Sequence, residues 1–289
     1  MADNSRTYAR EMVKPKIGIV PATKLAHAPG QERFYRSIIS SCKRALRVLC
    51  KLRAVPMPMR VVAIGIAFLA LCSVVNLVYQ MLHKPTEVFA PISSEFNKAP
   101  IETWRQYAPL FREYSTTSIS PELLAALAQV ESAGNPVAST YWRWRLTSDP
   151  FAVYQPASSA VGMYQMTDAA FAEAQAFCIL QHTVVEIGCS ATAVYSRMVP
   201  RHATELTAVF LDCKVTAILG HRRKIKISRQ QREELAAVIH LCGTGPATGF
   251  ARRGFRLVPG ERCGDHDVAA YLVQINAMKR QFLRLAAEM

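Results

Sequence analysis

The strongest feature of the hydropathy pattern is an uninterrupted apolar stretch from Val61 to Leu82. Its 22 residues contain no charged side chain. A helix of this length is about 33 Å long, which matches the hydrocarbon core of a bilayer. The pattern therefore predicts a transmembrane helix over 61–82. A buried core helix and a cleaved signal peptide are the alternatives, although the segment before the stretch is longer than an ordinary signal-peptide n-region.

After this stretch, apolar positions recur mostly at three- and four-residue intervals, which is typical of amphipathic helices. No alternation with a period of two is long enough to predict a strand. The pattern predicts helices near 101–114, 121–132, 167–181, 190–198, 202–219, 229–241 and 266–287. We therefore expect a mainly α-helical domain over 101–289, joined to the transmembrane helix by a proline-containing linker at 83–100.

Basic residues are concentrated before the apolar stretch. Residues 1–60 contain 13 Lys and Arg against 3 Asp and Glu, and the whole chain has a net charge of +14. The positive-inside rule places this arm in the cytoplasm and residues 83–289 outside the membrane. Because most of the excess charge belongs to the arm, it does not indicate a nucleic-acid-binding fold. Residues 34–54 are either an amphipathic helix on the inner leaflet or a solvated basic flank.

The cysteines fit a location outside the cytoplasm. Five of the eight follow the apolar stretch: Cys178, Cys189, Cys213, Cys242 and Cys263. An oxidising compartment such as a bacterial periplasm allows them to form disulfides. Five is an odd number, so at least one thiol is free or pairs with another chain. By proximity in sequence alone, Cys178–Cys189 and Cys242–Cys263 are the expected pairs.

Glu131 is the main candidate for chemistry. Ser120 is a suitable N-cap and Pro121 a suitable first residue for the helix predicted at 121–132, which Gly134-Asn-Pro136 then ends. Helical spacing puts Glu131 beside the apolar stripe and near the negative end of the helix dipole. Both surroundings favour a neutral carboxylic acid, which is what a proton donor needs. The alternative is a solvated or ion-paired Glu on the shoulder of the helix.

Two motifs carry a family resemblance. Gln129-Val-Glu-Ser-Ala-Gly-Asn-Pro136 is followed, at the expected spacing, by Ser159-Ala-Val-Gly-Met-Tyr-Gln-Met-Thr167. Together they resemble the lytic transglycosylases of the soluble-lytic-transglycosylase (SLT) type, over roughly residues 115–250. The resemblance implies a lysozyme-like α-helical domain that acts on peptidoglycan.

The resemblance also implies a mechanism in which Glu131 is both acid and base. It protonates the oxygen between N-acetylmuramic acid and N-acetylglucosamine and then accepts the proton of the muramoyl 6-hydroxyl, which closes a 1,6-anhydro sugar without water. The substrate-binding residues implied are Ser132, Gly162, Met163, Tyr164, Gln165 and His240. Gly162 is expected to let a sugar approach the backbone, and the three residues after it are expected to line the groove.

One part of the family pattern is missing. The family carries an Ala-Tyr-Asn-Ala-Gly motif on a later helix, whereas this chain has Cys242 and Gly243 in place of the Tyr and Asn. In the family, that Tyr helps to position the catalytic Glu and the sugar. We therefore expect another residue to do this work, and His240 and Tyr164 are the candidates.

Other candidate chemistry is weaker. Cys263-Gly-Asp-His-Asp267 with His240 and Cys242 matches no standard zinc spacing, so no metal or cofactor is expected. The basic cluster His221–Lys226 is either a solvated loop or a contact to anionic wall groups or a partner. Tyr141-Trp-Arg-Trp-Arg145 lies between the two motifs, and its Trp residues either contact sugars or pack elsewhere.

The expected protein is a single-pass bacterial inner-membrane enzyme with a cytoplasmic N-terminus and a periplasmic catalytic domain. Its leading function is that of a peptidoglycan lytic transglycosylase that opens the wall locally for an envelope-spanning secretion or conjugation system. A muramidase that hydrolyses the same bond is one alternative. A wall-binding scaffold of a secretion machine, with weak catalysis, is the other.

Overall fold

The computed structural model describes residues 56–149, 151–186, 188–189, 194–220 and 227–288. The possible amphipathic helix at 34–54 and the basic cluster His221–Lys226 lie outside the described residues. By its internal contacts the chain divides into a first unit, Met1–Leu69, and a second unit, Ala70–Met289.

The apolar stretch forms helix α1, which runs over Met57–His83 and is longer than the predicted 61–82. In the described part of the chain, α1 is the one helix long and apolar enough to cross a membrane. The segment predicted as a linker contains a 3₁₀ helix, Pro85–Phe96. Pro85 suits the start of this helix because it needs no backbone hydrogen-bond partner there.

Mainly α-helical architecture is confirmed. The helices after the 3₁₀ segment are α2 Pro100–Glu113, α3 Pro121–Ser132, α4 Asp168–Ala174, α5 Pro200–Gly220, α6 Arg229–Cys242, α7 Thr244–Arg252 and α8 Val268–Glu288. Helix α3 is the centre of the core, and every residue from Leu123 to Ala128 is fully buried. Helices α2 and α8 pack against α3, and α8 also packs against α6.

Two helix predictions need correction. The helix expected at 167–181 ends at Ala174, because Cys178–Leu180 is a strand. The described part of the helix expected at 190–198 has no α-helix, and residues 197–198 form a turn. Helix α7 was not predicted, since Gly245, Pro246 and Gly249 give its sequence the composition of a loop.

The structure contains short strands that the sequence pattern did not predict. The described residues form three antiparallel hairpins: β1 Trp142–Trp144 with β2 Tyr154–Pro156, β3 Cys178–Leu180 with β4 Thr183–Val185, and β5 Arg262–Cys263 with β6 His266–Asp267. Each strand has two or three residues, which is too short for a period of two to be visible in the sequence.

Both expected disulfides are confirmed. Cys178 pairs with Cys189, and Cys242 pairs with Cys263. The first closes the β3–β4 hairpin region. The second ties the end of α6 to β5, five residues before α8 begins. Cys213, on α5, has a free thiol, which agrees with the odd number of cysteines after α1.

Candidate active site

Glu131 lies in the last turn of α3. The helix begins with Ser120, whose side chain accepts a hydrogen bond from the Leu123 backbone N–H at 3.1 Å. It ends at Ala133, which adopts the left-handed conformation with φ of 53°. Gly134 follows with φ of 67° and donates its N–H back to the Ala128 carbonyl at 3.0 Å. This closure satisfies a terminal carbonyl and fixes where the last turn presents Glu131.

Two other helices bring polar side chains to Glu131. From α8, the Tyr271 hydroxyl donates a hydrogen bond to Glu131 Oε1 at 2.6 Å. From α6, His240 Nε2 lies 3.5 Å from the same oxygen. The side chain of Glu131 keeps 19% of its surface exposed, and that of His240 keeps 11%. The carboxyl group therefore lies between a buried Tyr and a largely covered His and can still be reached from solvent.

Tyr271 is well suited to act as a permanent donor. Burial, followed by the adjacent charge of Glu131, holds the pKa of Tyr271 well above its ordinary value. The phenol therefore stays protonated across the physiological range, and its proton points at Oε1. This bond uses Oε1 and fixes the rotation of the carboxyl group. Oε2 is the carboxyl oxygen that Tyr271 does not bind.

Tyr271 is the site residue that sequence reasoning missed. It is 140 positions from Glu131, and it lies beyond the segment that resembles the SLT family. The signal that could have found it is its place in the apolar stripe of α8, with Val268, Leu272 and Ile275. A Tyr in a buried stripe needs a partner for its hydroxyl, and the buried shoulder of α3 offers a carboxylate.

Ser132 connects the two sequence motifs. Its hydroxyl donates to the Met163 carbonyl at 2.8 Å and also contacts the Ala128 carbonyl at 3.2 Å. The second motif is a tight turn closed by an antiparallel bridge between Val161 and Met166. Ser132 was expected to bind substrate, but its donor proton is occupied by this contact between the end of α3 and the turn.

Asn135 of the first motif is also occupied by the fold. Its buried amide donates to the Ser93 carbonyl at 2.6 Å and to Asn97 Oδ1 at 3.0 Å. Its Oδ1 accepts the Val137 backbone N–H at 2.9 Å. The Gly-Asn-Pro sequence after Glu131 therefore fastens the end of α3 to the 3₁₀ helix.

The expected groove-lining roles of Met163 and Tyr164 need correction. Met163 is 0% exposed and Tyr164 is 1% exposed, so neither side chain faces a groove. The Tyr164 hydroxyl donates to Thr204 Oγ1 at 3.3 Å, so its donor is used there and not at Glu131. Of the two candidates for the missing Tyr of the family, only His240 lies beside Glu131.

Gly162 and Gln165 shape the turn itself. Gly162 has φ of +77°, and a Cβ there would lie 2.2 Å from the Arg197 carbonyl oxygen. This close approach is by the protein backbone, which corrects the expectation that Gly162 is needed for a sugar to approach. Gln165 also has a positive φ, 47°. Its amide donates to the carbonyls of Gly162 at 3.0 Å and Ala138 at 3.2 Å.

The described residues contain no group of three or more His, Cys, Asp or Glu that could hold a metal ion. Cys242 and Cys263, considered with His240 as ligands, are joined in a disulfide. A separate pocket of about 510 Å³ is lined by Lys84, Ser158, Asp168 and Arg197, among others, and does not include Glu131. Its cations are paired, Lys84 with Glu87 and Arg197 with Asp168.

The Trp residues divide into three environments. Trp104 is buried in the core, so it is not a sugar contact. Trp142 donates its indole N–H to Glu87 Oε2 at 2.6 Å. Trp144 is 72% exposed and stacks on Tyr154 with 4.5 Å between ring centroids.

Comparison of the whole chain with protein-family models and with curated protein sequences gives no match.

Proposed function

We propose that this protein is a membrane-anchored lytic transglycosylase that cleaves the MurNAc-β-1,4-GlcNAc bond of peptidoglycan. The observation that carries the proposal is the hydrogen bond from Tyr271 to Glu131, because it orients a partly exposed carboxyl group that belongs to the first SLT-like motif. A carboxyl group held in one orientation beside solvent is suited to general acid and base catalysis.

Glu131 performs both proton transfers. As the neutral acid it gives its proton to the glycosidic oxygen, and the bond from that oxygen to the anomeric carbon of MurNAc breaks. As the carboxylate it then takes the proton of the MurNAc 6-hydroxyl, while the oxygen of this hydroxyl bonds to the anomeric carbon. The enzyme returns to its starting protonation state, no water is consumed, and one carboxyl group suffices. Most glycosidases need two.

Tyr271 and His240 compensate for the altered third motif. The hydroxyl that the family motif places on the helix equivalent to α6 comes instead from α8, through Tyr271. His240 remains on α6 at 3.5 Å from Oε1. Both are positioning residues in this proposal, because they act on the sugar through the orientation of Glu131.

The proposed location is the bacterial inner membrane, with α1 as the anchor and the catalytic domain in the periplasm. The length of α1, the basic arm before it and the two disulfides after it support this placement. A partner of matching geometry is an envelope-spanning secretion or conjugation machine, which needs a local opening in the wall beside its membrane base.

Muropeptide analysis tests the proposal. Full-length protein is incubated with purified peptidoglycan, alongside Glu131→Gln and the control Glu122→Gln, which removes a carboxylate from the first turn of the same helix. We expect 1,6-anhydro products from the wild type and the control, and none from Glu131→Gln. Reducing ends would identify a muramidase. Binding to peptidoglycan without any product from the wild type would favour a scaffold, and an active Glu131→Gln variant would exclude Glu131 as the acid.

A further inference from the structure

One face of α1 is covered by protein near its C-terminal end. Asn76, Gln80 and the following Lys84 are buried, and their spacing of four residues places them on one side of the helix. Within the second unit, residues 70–75 of α1 are exposed, and the first buried residue of the helix is Asn76.

The β1–β2 hairpin covers this face. Asn76 Nδ2 donates to the Tyr154 carbonyl at 2.7 Å, and Gln80 Nε2 donates to the Phe151 carbonyl at 2.5 Å. Lys84 Nζ donates to the Ser158 carbonyl at 3.0 Å. The three polar side chains bind backbone carbonyls in one hairpin segment, so the hairpin lies alongside the last two turns of α1.

The strand register gives the position of Trp144 along the helix. Trp144 is directly opposite Tyr154, and Tyr154 is the residue held by Asn76. Asn76 precedes the end of α1 by seven residues, which is about 10 Å along the helix axis. Trp144 is therefore displaced from the end of α1 back toward its apolar part.

The outer surface of this hairpin is aromatic, aliphatic and basic. Tyr141 is 71% exposed and Trp144 72% exposed, and Leu146 is fully exposed. Arg143 and Arg145 lie between them and are also exposed. Amphipathic aromatic rings and Arg side chains are the residues that proteins place where a bilayer meets water.

The length of α1 puts the bilayer boundary at the hairpin. The 19 residues from Met57 to Val75 form about 28 Å of helix, close to the thickness of the hydrocarbon core. This segment begins and ends earlier than the predicted 61–82, and Arg60, near its first residue, can extend its charged group to the cytoplasmic interface. Asn76 and Gln80, which are unfavourable inside hydrocarbon, come next and have protein partners. An irregular loop cannot be exposed to the hydrocarbon core, so a hairpin beside Asn76 fits the headgroup region.

We propose that the hairpin is a membrane-interface contact that lies in the headgroup layer on the domain's side of the bilayer. Trp144 inserts its ring at the depth of the lipid carbonyls, and Arg143 and Arg145 bind the phosphates of anionic phospholipids. The inference rests on the proposed anchoring by α1. The domain is then held to the bilayer at a second point. The chain continues from this hairpin through Ser158 to the turn that contacts Ser132.

Tryptophan fluorescence of the full-length protein in proteoliposomes tests the contact. The vesicles contain phosphatidylethanolamine and phosphatidylglycerol, with or without bromine atoms on the acyl chain near the headgroup. Trp104, Trp142 and Trp144 are the Trp residues of the chain. We expect the brominated lipids to quench wild-type emission, and we expect most of that quenching to be lost in Trp144→Phe but retained in Trp142→Phe, the matched control.

A second pair of variants addresses the charges. The double substitution of Arg143 and Arg145 by Gln is expected to reduce quenching in vesicles that contain phosphatidylglycerol. The same double variant and the wild type are expected to be quenched alike in vesicles of zwitterionic lipid. Equal quenching of the two proteins in both vesicles would overturn the assignment of the Arg residues to lipid phosphates.

Flotation and muropeptide release on the same samples separate the possible failures. Protein that floats with vesicles but is not quenched by brominated lipid overturns the hairpin contact and leaves the anchor. Protein that does not float overturns both. If soluble muropeptides change the emission of Trp144 and brominated lipids do not quench it, the hairpin binds glycan and not lipid. A wild-type protein that is quenched by brominated lipid but releases no muropeptides would contradict the proposed enzymatic function and not the lipid contact.

Discussion

The hydroxyl of Tyr271 and the carboxyl group of Glu131 form a 2.6 Å hydrogen bond between α8 and α3. Helix α8 also packs on α2 and α6, so the bond connects the candidate acid to the main helical core. Burial raises the pKa of Tyr271, so its hydroxyl stays protonated, and packing in the core holds its ring in place. The orientation of the candidate acid therefore depends on the C-terminal helix.

Substitution of Tyr271 by Phe is expected to reduce kcat with little effect on KM. The ring keeps its packing, while the variant loses the hydrogen bond to the carboxylate that forms as Glu131 gives up its proton, and a bond to such a charged group is typically worth about 1.5–3 kcal/mol. If that energy holds the reactive orientation of Glu131, kcat falls by about 10- to 100-fold. Rates of muropeptide release over a range of peptidoglycan concentrations measure both constants.

Tyr195→Phe is the matched control for this prediction. The Tyr195 hydroxyl donates to Oε2 of Glu205, which lies on α5, at 2.8 Å. The control therefore also removes a hydrogen bond from a Tyr to a carboxylate. We expect kcat of the control to stay near the wild-type value. A Tyr271→Phe variant with unchanged kcat, or one that fails only by unfolding, would contradict the positioning role.

The sequence could predict α3 and Glu131 because the information is local. The N-cap, the apolar stripe and the terminating Gly-Asn-Pro lie within a few residues of one another. The sequence could not predict Tyr271, because its role depends on how α8 packs on α3. It also misplaced Met163 and Tyr164, since a motif shows which residues occur together and not which side of a turn faces the core.

The Cys242–Cys263 disulfide is expected to contribute to both stability and catalysis. Cys242 follows His240 by two residues on α6, and Cys263 precedes α8, which carries Tyr271. Replacement of both cysteines by Ala removes a link between the two elements that hold Glu131. We expect the free energy of unfolding to fall by about 3 kcal/mol and the rate of muropeptide release to fall even where the protein remains folded.

The Cys178–Cys189 pair supplies the comparison. The two disulfides span 21 and 11 residues, so chain entropy predicts similar stabilisation, about 3 kcal/mol each. Loss of Cys178–Cys189 is expected to lower stability alone, because the β3–β4 hairpin that it closes packs on α5 and carries neither Tyr271 nor His240. If the two double variants retain equal activity under conditions where both are folded, the Cys242–Cys263 link does not position the site.

Gly162→Ala is expected to destabilise the fold strongly. The positive φ of Gly162 costs a non-glycine residue about 1–3 kcal/mol, and its Cβ would also overlap the Arg197 carbonyl. Gly260→Ala is the control, since Gly260 has φ of +73° but nothing within 4 Å of an added Cβ. Urea unfolding should show a larger loss for Gly162→Ala by about 1–3 kcal/mol. Equal losses would mean that the turn can move away from Arg197.

The short hairpins also lay beyond sequence reasoning, for a physical reason. Trp142 to Trp144 alternates too briefly to define a strand, and the hairpin that it forms with Tyr154–Pro156 is bound by side chains of α1 that are distant in sequence. Asn76 and Gln80 are uncharged polar residues in the apolar stretch, and their hairpin partners lie 78 and 71 positions further along the chain. Their spacing of four was a usable signal, because polar groups on one side of a membrane helix generally face protein.

Tyr164 gives a prediction for alkaline pH. Its burial raises the pKa well above the ordinary value of 10.0. The folded protein therefore keeps a proton that the unfolded chain releases above pH 10, so this group's contribution to stability is present below pH 10 and is lost as the pH rises.

The Tyr164→Phe variant has no hydroxyl proton to lose at this position. We expect the variant to be less stable than wild type by about 1 kcal/mol near neutral pH, because the bond to Thr204 is missing. Above pH 10 the difference should shrink by about 1.4 kcal/mol per pH unit. Urea unfolding between pH 8 and about pH 11 measures it, with the four cysteines outside the two disulfides replaced by Ala to prevent exchange. Parallel stability curves for the two proteins over this range would show that the Tyr164 hydroxyl reaches water in the folded state.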